Sequence, residues 1–264
     1  TMGSFTPSTV PGCRAPHFWL ADGRSLYDAF GPGYTLLRLD ARADVTPLVA
    51  AAQARGMPLA VLDAQARDAI PEAYRHKLPI TPRGAGTGNY GQAMPLAGGA
   101  ILNLMNLDRV ISITRDSVRA EAGIVLEKLD EQTIAAVGGE MRFHPSTYRM
   151  ASLGGFIAGG SGGVGSIRWG GLRAFGNILG LRVITCEAEP RVLDLTGPDI
   201  LKVAHAYGTN GIIVEAEMPL TGHNHWVDVV VGFDSIIEAC AFAEQAAHQD
   251  GLLLKEISPV AAPI

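Results

Sequence analysis

The apolar and polar positions divide the chain into two regimes. Tyr34-Thr-Leu-Leu-Arg-Leu39 alternates as a half-buried strand does. Asp44 precedes a segment that runs through Pro47 to Arg55 and stops at Gly56. A capping acid, an early proline and a trailing glycine, in that order, predict a helix. Pro58-Leu-Ala-Val-Leu62 predicts a second strand, residues 65–76 a weak helix, and Leu78-Pro-Ile-Thr81 a third strand. The resulting β-α-β-α-β order predicts a small parallel layer.

Beyond Pro82 the pattern changes. Ala100–Leu104, Val110–Thr114 and Ser117–Ala122 read as strands too close in sequence for helical crossovers, which predicts antiparallel pairing throughout. Val125–Val137 has helical periodicity and ends at Gly138-Gly139. Further strands are expected at Ile178–Cys186, Arg191–Asp194 and Ile212–Leu220, with a short helix over Pro198–Ala206. Trp226–Phe233, a helix over Ser235–Gln249 and Leu252–Ile257 read as a last β-α-β. Residues 1–16 are rich in Pro, Ser, Thr and Gly and are expected to be irregular. The expected class is α+β: a small parallel β-α-β layer beside a larger, mainly antiparallel sheet with helices. The expected organisation is a small α/β segment over 1–78, a main domain over 79–222, and the start of a further domain over 223–264, at which the chain ends.

Composition narrows the function. At 264 residues the chain can bury a sizeable core. Apolar residues at 47% and charged residues at 18% exclude disorder and coiled coil. A net charge of −5 and a pI near 5.8 argue against a nucleic-acid partner. Cys13, Cys186 and Cys240 are isolated, which excludes a zinc or disulfide framework and suits a reducing, cytoplasmic setting. No apolar run approaches the ~18 residues of a membrane span, and no secretory signal is evident.

Glycine is the unusual component. Twenty of the 32 glycines lie between Gly84 and Gly180. They mark three loops: Pro82-Arg-Gly-Ala-Gly-Thr-Gly-Asn-Tyr-Gly-Gln92, Ser152 to Gly170, and Tyr207-Gly-Thr-Asn-Gly-Ile-Ile213. Dense glycine lets successive backbone N–H groups converge on an anion with no Cβ in the way. Arg83 and the Thr87 hydroxyl add donors. In the second loop Ser152 can cap a short helix, with Gly154 and Gly155 allowing close approach to a ligand. Gly86-Thr-Gly-Asn-Tyr-Gly91 matches G-x-G-x-x-G, with Asp108 at about the distance of a ribose acid. The Rossmann reading fails, because Pro95, Gly98 and Gly99 break the segment where its helix must start. No Gly-Lys-Ser/Thr of a phosphate-binding P-loop occurs. Three such loops, far apart in sequence, point to one extended ligand.

Pro82-Arg-Gly-Ala-Gly-Thr-Gly88 resembles the first flavin loop of FAD-linked oxidases of the vanillyl-alcohol oxidase and p-cresol methylhydroxylase type. Pro145-Ser-Thr, Ala151-Ser-Leu-Gly-Gly155 and Gly162-Gly-Val-Gly-Ser-Ile-Arg-Trp-Gly170 are similar to the second flavin segment. Gly208-Thr-Asn-Gly-Ile-Ile213 is similar to the third. The resemblance covers about residues 78–264 and implies an FAD-binding domain in two parts. It implies that Pro82, Arg83, Gly84, Ala85, Gly86, Thr87, Gly88, Asn89 and Gln92 wrap the pyrophosphate. It implies that Pro145, Ser146, Ala151, Ser152, Gly154, Gly155, Gly162, Gly163, Gly165 and Ile167 line the cofactor, and that Gly211, Ile212 and Ile213 hold it by backbone. Some relatives tether flavin through a His where this chain has Thr87, so a noncovalent FAD is expected. The implied activity is hydride transfer from a small hydroxy acid or alcohol to flavin, then to an electron acceptor, with the substrate-selecting cap beyond this chain. A catalytically silent FAD- or nucleotide-binding fragment is the alternative. No signature marks the similar fold of sugar-nucleotide reductases. Residues 11–76 instead resemble the C-terminal thioredoxin-like domain of aromatic-ring flavin monooxygenases, which implies a fusion or chimera with a junction near Lys77–Pro79.

Other polar residues have ordinary readings. His223-x-His225 could pair on a metal, but alternating exposed strand positions explain the spacing. His144 reads as a hydrogen-bonded turn histidine and His205 as a helical, structural one. Arg142, Arg149 and Arg168 could attract an acidic substrate, with solvated surface arginine as the ordinary reading. Met141, Met150 and Phe156 read as core.

Overall fold

The computed structural model describes residues 34–38, 44–63, 79–96, 100–160 and 162–261, with Arg24 and Ala29. The expected helix at 65–76 and most of the thioredoxin-like resemblance lie outside the described residues.

The front of the chain forms β1 (Tyr34–Arg38), α1 (Thr46–Ala54) and β2 (Leu59–Asp63), with β1 and β2 parallel and Tyr34 opposite Leu59. The Asp44 carboxylate accepts from the Thr46 N–H at 2.9 Å, and Pro47 sits in the first turn. This is the β-α-β unit that the pattern predicts.

Strand β3 (Ile80–Arg83) pairs with β4 (Ala100–Asn103) in a second two-stranded sheet. The pairing is parallel, with Ile80 opposite Ala100. This corrects the expected antiparallel role of Ala100–Leu104. The connection that matters is residues 84–99: the first glycine loop is the long crossover that a parallel pair requires. Spacing to the next strand, from which the prediction was made, is irrelevant because that strand belongs to another sheet.

The main sheet has the order β5 (Val110–Ile113), β6 (Ser117–Glu121), β10 (Ile212–Gly222), β8 (Gly180–Ile184), β9 (Val192–Thr196). All these pairs are antiparallel. A short β7 (Gly139–Met141) pairs with the far end of β10. The strands alternate as the pleat demands. Val118, Ala120, Leu181, Val183, Ala216 and Met218 are buried on one face. The other face carries Arg119, Arg182, Asp194 and Glu215, paired at 2.7–3.1 Å. Such exposed pairs contribute little; the apolar face supplies the stability, at about 1.5–3 kcal/mol per large side chain fully buried.

Helix α2 (Leu126–Val137) lays Leu126 and Leu129 into that core and ends at Gly138 with φ of 63°. Its inward face also carries Asp130, which accepts from the Met141 N–H at 2.6 Å and the Tyr148 hydroxyl at 3.1 Å. Burial pushes the Asp130 carboxyl up to about 6, and the two hydrogen bonds pull against it. Helix α3 (Leu153–Gly159) and the single turn α4 (Ser166–Trp169) follow.

Four further expectations are corrected. Pro198–Ala206 is a 3-10 turn over Gly197–Lys202, and His205 is not helical but has φ of 61°. Met150 is 61% exposed. Trp226–Phe233 and Leu252–Ile257 are apolar but form no ladder. β-propensity expresses itself only against a partner strand and a buried face, and Val230 is 98% exposed. Between them, α5 (Ile236–Ala247) forms as predicted, with the Ser235 hydroxyl accepting from the Glu238 N–H at 3.2 Å.

Candidate functional site

The three glycine loops meet. The first leaves β3 at Arg83, and Gly84 lies directly against the Ser152 side chain at the start of α3, where a Cβ would overlap the hydroxyl. The Ala85 N–H points at the Ser152 Oγ at 3.4 Å. The third loop joins the first at Gly208, whose φ of 80° and contact with the Pro82 ring leave no room for a side chain. The second and third are joined by backbone. His205 N–H donates to Ile157 O at 3.0 Å and Tyr207 N–H to Ala158 O at 3.1 Å, both at the end of α3. Segments more than sixty residues apart thus share one place (the Ala85–Ser152 pair spans 67 positions).

The first loop is built to donate. Among the described residues, the N–H groups of Gly86, Thr87, Gly88 and Asn89 find no protein acceptor. The Arg83 guanidinium folds over Gly86 and has no carboxylate partner among the described residues. Gln92 closes the loop from within: its side-chain oxygen accepts from the Tyr90 N–H at 3.0 Å, and its amide packs on Gly88. Four open N–H groups and an unpaired guanidinium on a Cβ-poor strip fit a diphosphate.

Several other expected site residues face protein. The Ser152 hydroxyl makes no cap bond to α3, because it is turned toward Ala85. Gly154 permits contact with Ala122, and its N–H donates to Ala122 O at 2.7 Å. Gly163 and Gly165 admit the carbonyls of His144 and Arg142, and Gly165 N–H donates to Lys255 O at 2.9 Å. Gly162 lies against the Ser166 hydroxyl, and Gly211 against the Val183 side chain. Ala151, Ile212 and Ile213 are buried, the last two in register with Ile184 and Val183. Pro145 is half-buried, Ser146 and Ile167 are exposed, and Gly155 borders Ser152.

Behind the second loop lies a polar cluster without a local sequence signal. The buried Glu140 carboxylate accepts from His223 Nδ1 at 2.8 Å, Trp226 Nε1 at 2.8 Å and Lys255 Nζ at 3.2 Å. His223 is therefore not a free strand position: its ring is tied to Glu140. Glu140 sits between Gly139 and Met141 in a three-residue strand, too short for alternation to mark it. The Arg142 guanidinium lies 4.1 Å from the centre of the Trp169 ring and that of Arg168 5.0 Å from it. One Arg142 guanidinium N–H donates to Gly176 O at 3.4 Å while its Nε finds no partner, and burial lowers the Arg142 pKa from its ordinary value. His144 is hydrogen-bonded as expected, but it sits in an isolated antiparallel bridge with Val164 rather than in a turn, with Nδ1 3.2 Å from Pro145 O and its ring 4.6 Å from that of Tyr148. Burial lowers its pKa. Arg149 is an exposed partner of Glu127 at 3.4 Å.

Comparison with known proteins identifies the family. A family described as FAD binding domain matches residues 61–194. The chain is 28% identical over 191 residues to glycolate oxidase subunit GlcD of Bacillus subtilis (strain 168), covering 67% of this chain and 39% of that protein. It is 22% identical over 183 residues to D-lactate dehydrogenase of Anaerostipes hadrus, 64% of this chain and 37% of that one. It is 33% identical over 152 residues to D-2-hydroxyglutarate dehydrogenase of Escherichia coli (strain K12), 56% of this chain and 14% of that one. The chain thus spans well under half the length of these relatives. Among solved structures, an alkyldihydroxyacetonephosphate synthase superposes with a TM-score of 0.53 at 22% identity, covering 59% of this chain and 32% of that one, which shows the shared fold. Among the described residues no helix is long and apolar enough to cross a membrane.

Proposed function

The chain belongs to the FAD binding domain family, and on that premise we propose that it carries FAD where its three glycine loops meet, as the cofactor-binding portion of an oxidoreductase acting on small hydroxy acids. The observation that carries the reading is the strip of open N–H groups from Gly86 to Asn89 under an unpaired Arg83. Those donors and Arg83 hold the diphosphate. Ser152 and Gly155 stand against Gly84 of the same loop, and on this reading Pro145 and Ser146 complete the lining. Gly154, Gly162, Gly163, Gly165 and Gly211 act one step removed, by letting backbone segments pack closely enough to form it. Bound FAD supplies the two-electron acceptor; the protein supplies position and electrostatics. The names of the relatives support a hydroxy-acid substrate. The p-cresol methylhydroxylase-type subclass, noncovalent attachment at the Thr87 position and a separate electron acceptor belong to the same proposal.

Reconstitution tests it. Purified chain incubated with FAD and desalted is expected to retain flavin near one equivalent, extractable by acid precipitation. Arg83→Met is expected to weaken binding by roughly 10- to 150-fold, as loss of one charge-assisted phosphate contact of about 1.5–3 kcal/mol implies. Folded protein that retains no flavin overturns the proposal. Flavin retained after denaturation refutes noncovalent attachment alone.

A second reading is FAD held without turnover. Anaerobic bleaching of the bound flavin by a hydroxy acid separates the two. The thioredoxin-like front remains a proposal with a specific test. The family match starts at residue 61, ahead of the junction near residues 77–79. A natural transcript continuous across residues 60–100 would exclude an artificial join.

A further inference from the structure

The last stretch of the chain is attached through polar groups. Among the described residues, none from 223 to 261 is buried, α5 included. Its hydrogen bonds to distant parts of the chain converge on one small area. His223 N–H donates to Gly138 O at 2.9 Å. His223 Nδ1, Trp226 Nε1 and Lys255 Nζ all meet the Glu140 carboxylate. Lys255 O accepts from the Gly165 N–H at 2.9 Å.

Lys255 differs from the other two partners of Glu140 because it holds two places at once. Its ammonium sits on a carboxylate whose side chain is 4% exposed, and its own side chain is 18% exposed. Water screens such a pair poorly, and removing one partner leaves a buried charge uncompensated. The seated ammonium therefore fixes where the Lys255 carbonyl stands. On the loop side, Val164 exchanges both of its backbone hydrogen bonds with His144, at 3.1 and 2.9 Å. Gly165 is buried, and the carbonyl of Arg142 occupies the space where its Cβ would be. Its N–H is thus closed off from water and takes Lys255 O as its acceptor, as a buried backbone donor must find one. Glycine has more conformational freedom to lose than any other residue. A segment with glycine at 159, 160, 162, 163 and 165 therefore depends heavily on each anchor.

We propose that Lys255 is a positioning residue for the second glycine loop: its ammonium, seated on Glu140, fixes the carbonyl that holds Gly165, so that docking of residues 223–261 orders the loop and tightens cofactor binding. The cofactor half of this inference rests on the FAD reading above; the loop half does not. The route to the cofactor is the His144–Val164 bridge, since His144 adjoins Pro145 and Ser146, which on that reading line the FAD. The family match ends at residue 194. A stretch outside the match thereby sets affinity within it, and by linkage bound cofactor favours the docked stretch equally.

Hydrogen exchange of the full chain, read by mass spectrometry over residues 162–170, tests the loop half, and FAD titration tests the other. Lys255→Met keeps the length of the side chain and removes its charge. It is expected to speed exchange over 162–170 at least tenfold, to leave β6 and β10 unchanged, and to weaken FAD binding at least fivefold. Lys255→Gln, shorter as well as neutral, is expected to do the same, and Lys255→Arg to restore most of both. Glu256→Gln, at an exposed neighbour, is expected to change neither. Unaltered exchange over 162–170 in both neutral variants overturns the proposal. So does exchange that rises equally in β6 and β10, which would make Lys255 a general support of the fold. A loosened loop with unchanged FAD affinity overturns it as well. Wild-type chain that retains no FAD, with 162–170 still loosened by Lys255→Met, refutes the flavin reading and leaves the positioning of the loop standing.

Discussion

Replacing Gly84 by alanine puts the meeting of the glycine loops to a quantitative test. Gly84 has no positive φ, so alanine suits its backbone, and the whole effect comes from the added methyl. That methyl would overlap the Ser152 hydroxyl, while Ser152 Cβ stands at 3.4 Å and Gly155 Cα at 3.7 Å, both ordinary contacts. Overpacking of this kind costs about 1–3 kcal/mol. Ser152→Ala deletes the overlapping atom and gives up one long hydrogen bond to the Ala85 N–H, a loss of at most about 1 kcal/mol. If the loops touch as described, the double variant is less destabilised than the sum of the singles, by about 1–2 kcal/mol. Equilibrium urea unfolding of the four proteins without flavin gives the cycle, and FAD titration by fluorescence gives the same cycle for binding. Gly84→Ala alone is expected to weaken FAD binding, and Ser152→Ala to restore it in part. Additivity within about 0.5 kcal/mol in both readouts would mean that the two loops do not meet at these residues.

Three other outcomes follow from the packing. Asp130, raised to about 6 by burial, holds its proton more tightly in the folded chain than in the unfolded one. Its contribution is therefore present at low pH and lost as pH rises from near 4 through 6, by about 2–3 kcal/mol at most. Asp130→Asn keeps an acceptor for the Met141 N–H and is expected to flatten this slope in urea midpoints measured from pH 4 to 8; an unchanged slope refutes the assignment. Glu140→Leu strands the Lys255 ammonium and the Trp226 indole, and is expected to cost about 3–5 kcal/mol in thermal unfolding, against about 1–2 kcal/mol for Glu140→Gln. Equal effects of the two would show that shape, not charge, holds the cluster. Ser235→Ala is expected to destabilise α5 locally by about 1 kcal/mol, visible as faster amide exchange over residues 236–240; unaltered exchange there would refute the cap.

Much of the fold was legible because its signals are local. Asp44 with Pro47 placed α1, Gly138 closed α2, and Ser235 opened α5 within a residue or two of the observed ends. Alternation found β6, β8, β9 and β10. Pairing was less legible. Ala100–Asn103 has the same pattern whether its neighbour is β3 or β5, and only the path of residues 84–99 decides for the parallel partner. Trp226–Phe233 shows the opposite error: its composition suits a strand, but no partner lies alongside among the described residues. Met150 is apolar and was assigned to the core, yet it sits on an exposed turn, because a single apolar residue carries no directional information.

The candidate site divides in the same way. By itself the sequence determined that bare backbone is concentrated in three loops, that Arg83 and Thr87 stand in the first, and that an anionic cofactor suits an acidic chain only through such donors. It could not assign tasks among the glycines. The tertiary structure alone decided that Gly84 and Gly208 join loops, that Gly154, Gly163 and Gly165 make room for protein carbonyls or side chains, and that Gly86 and Gly88 leave their N–H groups open. It also decided that Glu140, His223, Trp226 and Lys255 form one cluster. The physical reason is range. Capping and alternation act within a few residues, whereas a missing Cβ or a buried charge acquires its meaning from whatever the folded chain brings against it.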